Sequence, residues 1–94
     1  MNYLIVALSE LNYVKNNFPN TNIIPLINLR ISLLYYRLKE FEKSLETADL
    51  LNNTFFEDRG IILSGQIYEY EFIDLKKAKS QYMRIINNHT NSIF

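Results

Sequence analysis

Apolar residues recur every three or four positions along most of this chain, the spacing that places them on one face of an α-helix. The pattern is interrupted at short polar or proline-containing stretches such as residues 18–20 and 87–91. It therefore predicts an all-α domain over residues 1–94, with about five antiparallel helices and no strands. The expected helices cover residues 3–17, 25–38, 41–53, 55–71 and 74–88.

The helices differ in how much of their surface is apolar. The second carries apolar side chains around most of its circumference, so we expect it to be central and buried on more than one side. The third is amphipathic, with Glu42 and Glu46 opposite Leu45 and Ala48. Thr54, followed three residues later by a glutamate, predicts a capping box at the start of the fourth helix, and Asp74 is expected to cap the fifth.

Composition narrows the class of protein. A chain of 94 residues with 10 basic and 10 acidic side chains carries no net charge, whereas proteins that bind nucleic acid normally have a basic surplus. The absence of cysteine excludes a disulfide framework and thiolate metal sites. No apolar run approaches the length of a membrane span, and the first residues do not resemble a signal peptide. These features leave the compartment open: it is cytoplasmic by default, or periplasmic if the chain is part of a longer precursor.

Two parts of the sequence repeat. Ser32 and Tyr35 in the second helix correspond to Gly65 and Tyr68 in the fourth, 33 positions later. The third and fifth helices correspond at an offset of 34, because one extra residue is expected in the second turn. The first helix matches the pattern of the third and fifth through Ala7, Leu11 and Val14, followed by Pro19.

This order of small residue, tyrosine, small residue and proline resembles the tetratricopeptide repeat (TPR). The resemblance implies a right-handed solenoid of helical hairpins, built from half a repeat and two full repeats. Small residues at the repeated positions are expected to let paired helices approach closely, while Tyr35, Tyr68 and Tyr82 fill the space between successive hairpins. The link at residues 18–25 is similar to that of bacterial envelope TPR proteins, and residues 88–92 resemble a decayed copy of it.

In TPR proteins the first helices of successive repeats line a concave groove, which implies binding of a protein or peptide. The matching positions here are Leu26, Leu29, Leu33, Tyr36, Arg37, Arg59, Ile62, Gln66, Glu69 and Tyr70. A ligand would bury apolar side chains on the leucines and tyrosines and place polar groups near the arginines. The alternative is that Leu26, Leu29 and Leu33 are core residues under another helix. The carboxylate clamp of some TPR proteins does not carry over, because leucines stand where it needs lysine and asparagine.

No constellation of residues indicates catalysis, so we expect a non-enzymatic protein without a metal or cofactor. His89, the one histidine, is expected to be solvated in a link. Glu57 with Asp58, and Glu69 with Glu71, are too close in sequence to converge from one helix face. Ser64 lacks the flanking glycine pattern of a nucleophile elbow.

The expected function is that of a protein-binding scaffold. The alternative is a structural module that forms homo-oligomers, or docks into a larger complex, through uncapped repeat ends. Ser92, Ile93 and Phe94 resemble the start of a further helix, so the chain is expected either to belong to a longer array or to pair through its ends. Binding of single-stranded RNA needs a basic groove, for which Arg37 and Arg59 are too few.

Overall fold

The computed structural model describes residues 2–90 of the chain. Within that range it contains five helices and no strand, which confirms the predicted all-α class. None of these helices is both long enough and apolar enough to cross a bilayer. The helices are α1 (Tyr3–Asn17), α2 (Ile24–Arg37), α3 (Phe41–Asp49), α4 (Glu57–Gln66), which continues as a π-helical turn (Ile67–Glu71), and α5 (Leu75–Thr90).

The start of α4 differs from the sequence prediction. The hydroxyl of Thr54 accepts a hydrogen bond from the amide of Phe56 at 3.2 Å, and donates to the carbonyl of Leu51 at 2.6 Å. The predicted capping box is therefore wrong, and α4 begins at Glu57 instead of residue 55. α3 ends at Asp49 instead of residue 53, because a series of turns follows it in which Asn53 has a φ of 65°.

The start of α5 agrees with the prediction, but its end does not. Asp74 Oδ1 accepts a hydrogen bond from the amide of Lys77 at 3.0 Å, as expected of an N-cap residue. The predicted link after residue 88 is wrong, because α5 continues to Thr90. His89 is exposed on that last turn, and its Nε2 contacts Oδ2 of Asp58 on α4. The further helix predicted at Ser92, Ile93 and Phe94 lies outside the described residues.

The helices pack mainly against their neighbours in sequence, with the most extensive contacts inside two hairpins, α2 with α3 and α4 with α5. The chain is elongated, since its radius of gyration is 14.2 Å and a compact domain of this length has about 12 Å. α1 packs on α2 and has no fully buried residue. The apolar core is formed by Ile27, Leu29, Ile31, Ala48, Leu51, Ile61, Leu63, Ile67 and Ala78.

The two hairpins share equivalent contacts. Lys43 lies 5.8 Å from the ring centre of Tyr35, and Lys77 lies 5.6 Å from that of Tyr68. The repeated small residues are buried in both hairpins; they are Ser32, Ser44, Gly65 and Ala78. In the first hairpin Ser44 donates a hydrogen bond to the carbonyl of Ser32 at 2.7 Å, so its two helices meet at these small side chains, as the sequence repeat predicts.

The π-helical turn accounts for the change of offset from 33 to 34. In each hairpin a backbone amide just after the first helix donates a hydrogen bond to the carbonyl of the repeated tyrosine. The amide of Glu40 donates to Tyr35 after α2, and the amide of Asp74 donates to Tyr68 after α4. The first bond spans five residues and the second spans six. The extra residue lies inside the turn Ile67–Glu71, and not in the connection between the helices as predicted.

The connection between the two helices of each hairpin contains one residue whose backbone lies in the left-handed φ/ψ region. Lys39 has a φ of 63°, and Ile73, which lies 34 positions later, has a φ of 52°. This conformation is unfavourable for a side chain branched at Cβ. The hairpin geometry is therefore maintained at Ile73 at the expense of local backbone strain.

Tyr82 connects α5 to the end of α4. Its hydroxyl donates a hydrogen bond to Oε1 of Glu69 at 2.8 Å, and its ring packs against Gly65, where an added Cβ would lie 2.5 Å from Cε1. Tyr82 therefore packs within the second hairpin, and the prediction that it fills the space between successive hairpins is wrong.

The Tyr82 contact predicts a pH dependence of stability. Partial burial, with the hydrogen bond to Glu69, raises the pKa of Tyr82 to about 12 from its ordinary value of 10. Because the folded state holds this proton more tightly, the contribution is complete below pH 10 and is lost as the pH rises from 10 through 12. We expect the difference in unfolding free energy between wild type and Tyr82→Phe to shrink over that interval in urea titrations. A difference between the two proteins that stays constant from pH 10 to pH 12 would contradict the prediction.

Candidate functional site

A cleft of about 170 Å³ lies between α2 and α4. Leu29 and Leu63 are buried and form its floor, whereas Leu33 and Ile62 are 39% and 42% exposed. The exposed residues Arg59 and Gln66 complete its lining on α4. The cleft thus combines a fixed apolar floor with accessible apolar and polar side chains, the usual composition of a binding site.

A larger cavity, of about 380 Å³, lies between α1 and α2. Leu33 lines both cavities and so joins them into one continuous surface. The ring of Tyr36 is held edge-on against Phe41, with centroids 5.5 Å apart. We call the combined surface the groove. Its lining in the α1–α2 part consists of Ala7, Leu11, Arg30, Leu33, Leu34, Tyr36 and Arg37.

Seven of the ten residues predicted from the TPR resemblance line the groove. Those on the α2–α4 cleft are Leu29, Leu33, Arg59, Ile62 and Gln66, and those on the α1–α2 cavity are Leu33, Tyr36 and Arg37.

The other three predicted residues lie elsewhere. Leu26 and Tyr70 are exposed and line neither cavity. Glu69 accepts the hydrogen bond from Tyr82, so its carboxylate is directed to α5 and not into the groove.

The leucine face of α2 is neither wholly groove nor wholly core, the two interpretations made from the sequence. Leu29 is 4% exposed and belongs to the core, as the alternative expected. Leu26 and Leu33 remain more than a third exposed, because no helix among residues 2–90 covers them. The face is therefore part core and part accessible surface.

The sequence reasoning missed the contribution of α1. Ala7 and Leu11 line the larger cavity, where they face α2. Arg30 was also missed, although it precedes Arg37 by seven residues, a spacing that places two side chains on the same face of a helix. That spacing is the signal that could have identified it.

The charges of the groove are unbalanced. Arg30, Arg37 and Arg59 are exposed, and none forms an ion pair or side-chain hydrogen bond within the described part of the chain. Arg84 on α5 contrasts with them, because it contacts Glu57 at 3.7 Å and Asn52 at 3.1 Å. The groove thus presents three cationic groups that no described residue neutralises.

The described residues contain no group of three or more histidine, aspartate or glutamate side chains that could hold a metal ion. No family model, curated protein or solved structure matches the chain.

Proposed function

We propose that this chain is a non-catalytic scaffold of TPR-like helical hairpins that binds a segment of another protein in the groove formed by α1, α2 and α4. The observation that carries the proposal is the continuous surface on which Leu33 and Ile62 stay accessible above the buried Leu29 and Leu63. Monomeric proteins seldom leave large contiguous apolar patches bare unless they bind there.

The shape of the groove favours a peptide segment over a flat protein surface. Its two cavities meet on α2 at Leu33, so an extended or helical segment that spans this junction would place side chains in both. Tyr36 is already ordered by Phe41, which lowers the entropic cost of binding against its ring.

The proposal predicts that peptides selected from a displayed random library bind at Ile62. We expect Ile62→Ser to weaken the selected peptides by at least about tenfold in fluorescence anisotropy, because hot-spot truncations at an interface cost about 2 kcal/mol or more. Met83→Ser on α5 is the matched control, since Met83 is 41% exposed and Ile62 is 42% exposed. It should leave affinity within about twofold.

Equal weakening by the two variants would refute binding in the groove. A library that yields no binding peptide would count against the function as a whole. Circular dichroism of both variants shows whether either change has disturbed the helices.

The second candidate function is assembly through the two ends of the helix array. Apolar side chains are exposed on α1, where Tyr3 and Tyr13 are 79% and 63% exposed, and on α5, where Leu75 and Met83 lie at the surface. Light scattering over a range of concentrations distinguishes the two functions. Assembly through the ends would make the mass fall in Tyr13→Ser, whereas it would be unchanged in Ile62→Ser.

A further inference from the structure

We infer that the groove accepts a segment that is acidic as well as apolar, and that the α1–α2 cavity takes an apolar side chain of that segment between two of its carboxylates. This inference rests on the proposed function and adds the chemistry of the partner. It depends on the lining of the larger cavity and on the three unpaired arginines.

The α1–α2 cavity is large enough to take a bulky side chain. Its volume of about 380 Å³ falls within the range of about 300–1,000 Å³ that is typical of ligand sites. Leu11, Leu33 and Leu34 form an apolar lining, and the ring of Tyr36 closes one side. An aromatic or long aliphatic side chain would gain most from entering it, because this lining offers few polar partners.

Both charged residues that line this cavity are arginines. Arg30 and Arg37 lie seven residues apart on α2, which is about 10.5 Å along the helix. Carboxylates of a ligand could reach both if they were two turns apart in a helix, or about three residues apart in an extended strand. Arginine binds a carboxylate through two parallel hydrogen bonds, so such contacts would also fix the orientation of the segment.

The positive charge of the groove is a local feature, because the whole chain is neutral. The lining of the two cavities contains Arg30, Arg37 and Arg59 but no carboxylate among the described residues. Acidic residues are exposed on other surfaces, such as Glu42 and Glu46 on α3. A neutral apolar segment would leave the three guanidinium groups without partners and would partly desolvate them, whereas an acidic segment would pair with them.

The test is a parallel selection of peptides from one displayed random library against three forms of the full chain. These are the wild type, the double variant Arg30→Gln/Arg37→Gln and the double variant Lys76→Gln/Lys79→Gln. The second double variant is a control that removes the same charge from exposed lysines on α5. We expect peptides selected on the wild type and the lysine variant to be enriched in Asp and Glu, with bulky apolar residues between them. Peptides selected on the arginine variant should keep the apolar residues and lose the acidic ones.

The affinity of the best peptide then measures the contact directly. Replacing its Glu and Asp residues by Gln and Asn should weaken binding to the wild type by at least about tenfold. On the arginine variant the same replacement should change affinity by less than about threefold.

The outcomes separate this inference from the proposed function. Neutral or basic peptides that still depend on Ile62 would overturn the inference and leave the proposed function standing. Acidic enrichment that persists on the arginine variant would also overturn it, because the charge would then be recognised elsewhere. Failure to select any peptide would remove both.

Discussion

Replacing Leu51 by alanine is expected to lower the free energy of unfolding by about 3 kcal/mol, within the range of about 2–5 kcal/mol measured for buried leucines. Leu51 is fully buried and follows α3 at the contact with α4. Its Cδ1 lies 3.0 Å from the position that a Cβ would take on Gly60, which has no side chain that could move into the vacated volume. The cavity would therefore stay open, and Tm should fall by more than about 10 °C for a domain of this length.

Leu50 provides the control for this prediction, because the same substitution one residue earlier removes a side chain that is 52% exposed. We expect Leu50→Ala to change stability by less than about 0.5 kcal/mol, as is usual for surface positions. Urea denaturation followed by circular dichroism measures both variants. Similar losses for the two would mean that Leu51 is not the packing centre of this contact.

The sequence predicts the helices well because each has its own apolar period and its own polar or proline-containing boundary. The predicted end of α5 is wrong because this boundary depends on a tertiary contact. α5 continues through the asparagines before His89, where the contact with Asp58 ties its last turn to α4. The polar residues there suggested a link, because periodicity does not reveal a partner on another helix.

In the repeat, too, one feature could be predicted from the sequence and another could not. The offset of 33 followed by 34 is visible in the residues, so the extra residue was predicted. Its predicted position is wrong, because a π-helical turn and a longer connection add the same one residue to the sequence. The bond from the amide of Asp74 to the carbonyl of Tyr68, which spans six residues, distinguishes them in the structure.

The α2–α4 part of the groove could be predicted from the sequence, because equivalent positions of a repeat lie side by side when the hairpins stack. The α1–α2 cavity could not be predicted in that way. α1 buries none of its residues fully, so its pattern does not reveal how closely it packs. The position of Glu69 was missed for a related reason, since its partner Tyr82 lies 13 residues away on α5.

Replacing Gly65 by alanine is expected to destabilise the fold by about 2 kcal/mol, although the same change in a helix usually stabilises by about 1 kcal/mol. A Cβ at Gly65 would lie 2.5 Å from Cε1 of Tyr82 and 2.9 Å from its Cζ. The ring cannot move aside freely, because its hydroxyl is bonded to Glu69 at 2.8 Å. Overpacking of this kind costs up to about 3 kcal/mol, which exceeds the gain in helix propensity. Urea denaturation of Gly65→Ala, compared with wild type, measures the net loss.

The same substitution should reverse its sign when the ring is removed. In the Tyr82→Leu background the atoms that Cβ would meet most closely are gone, so we expect Gly65→Ala to stabilise by about 1 kcal/mol through helix propensity alone. The double-mutant cycle therefore predicts a coupling of about 3 kcal/mol between positions 65 and 82, at the upper end of values for residues in direct contact. A loss of the same size in both backgrounds would show that the glycine is required for a reason other than the approach of α5. Reversal of the sign would establish that the small residue of the repeat is there to admit the tyrosine ring.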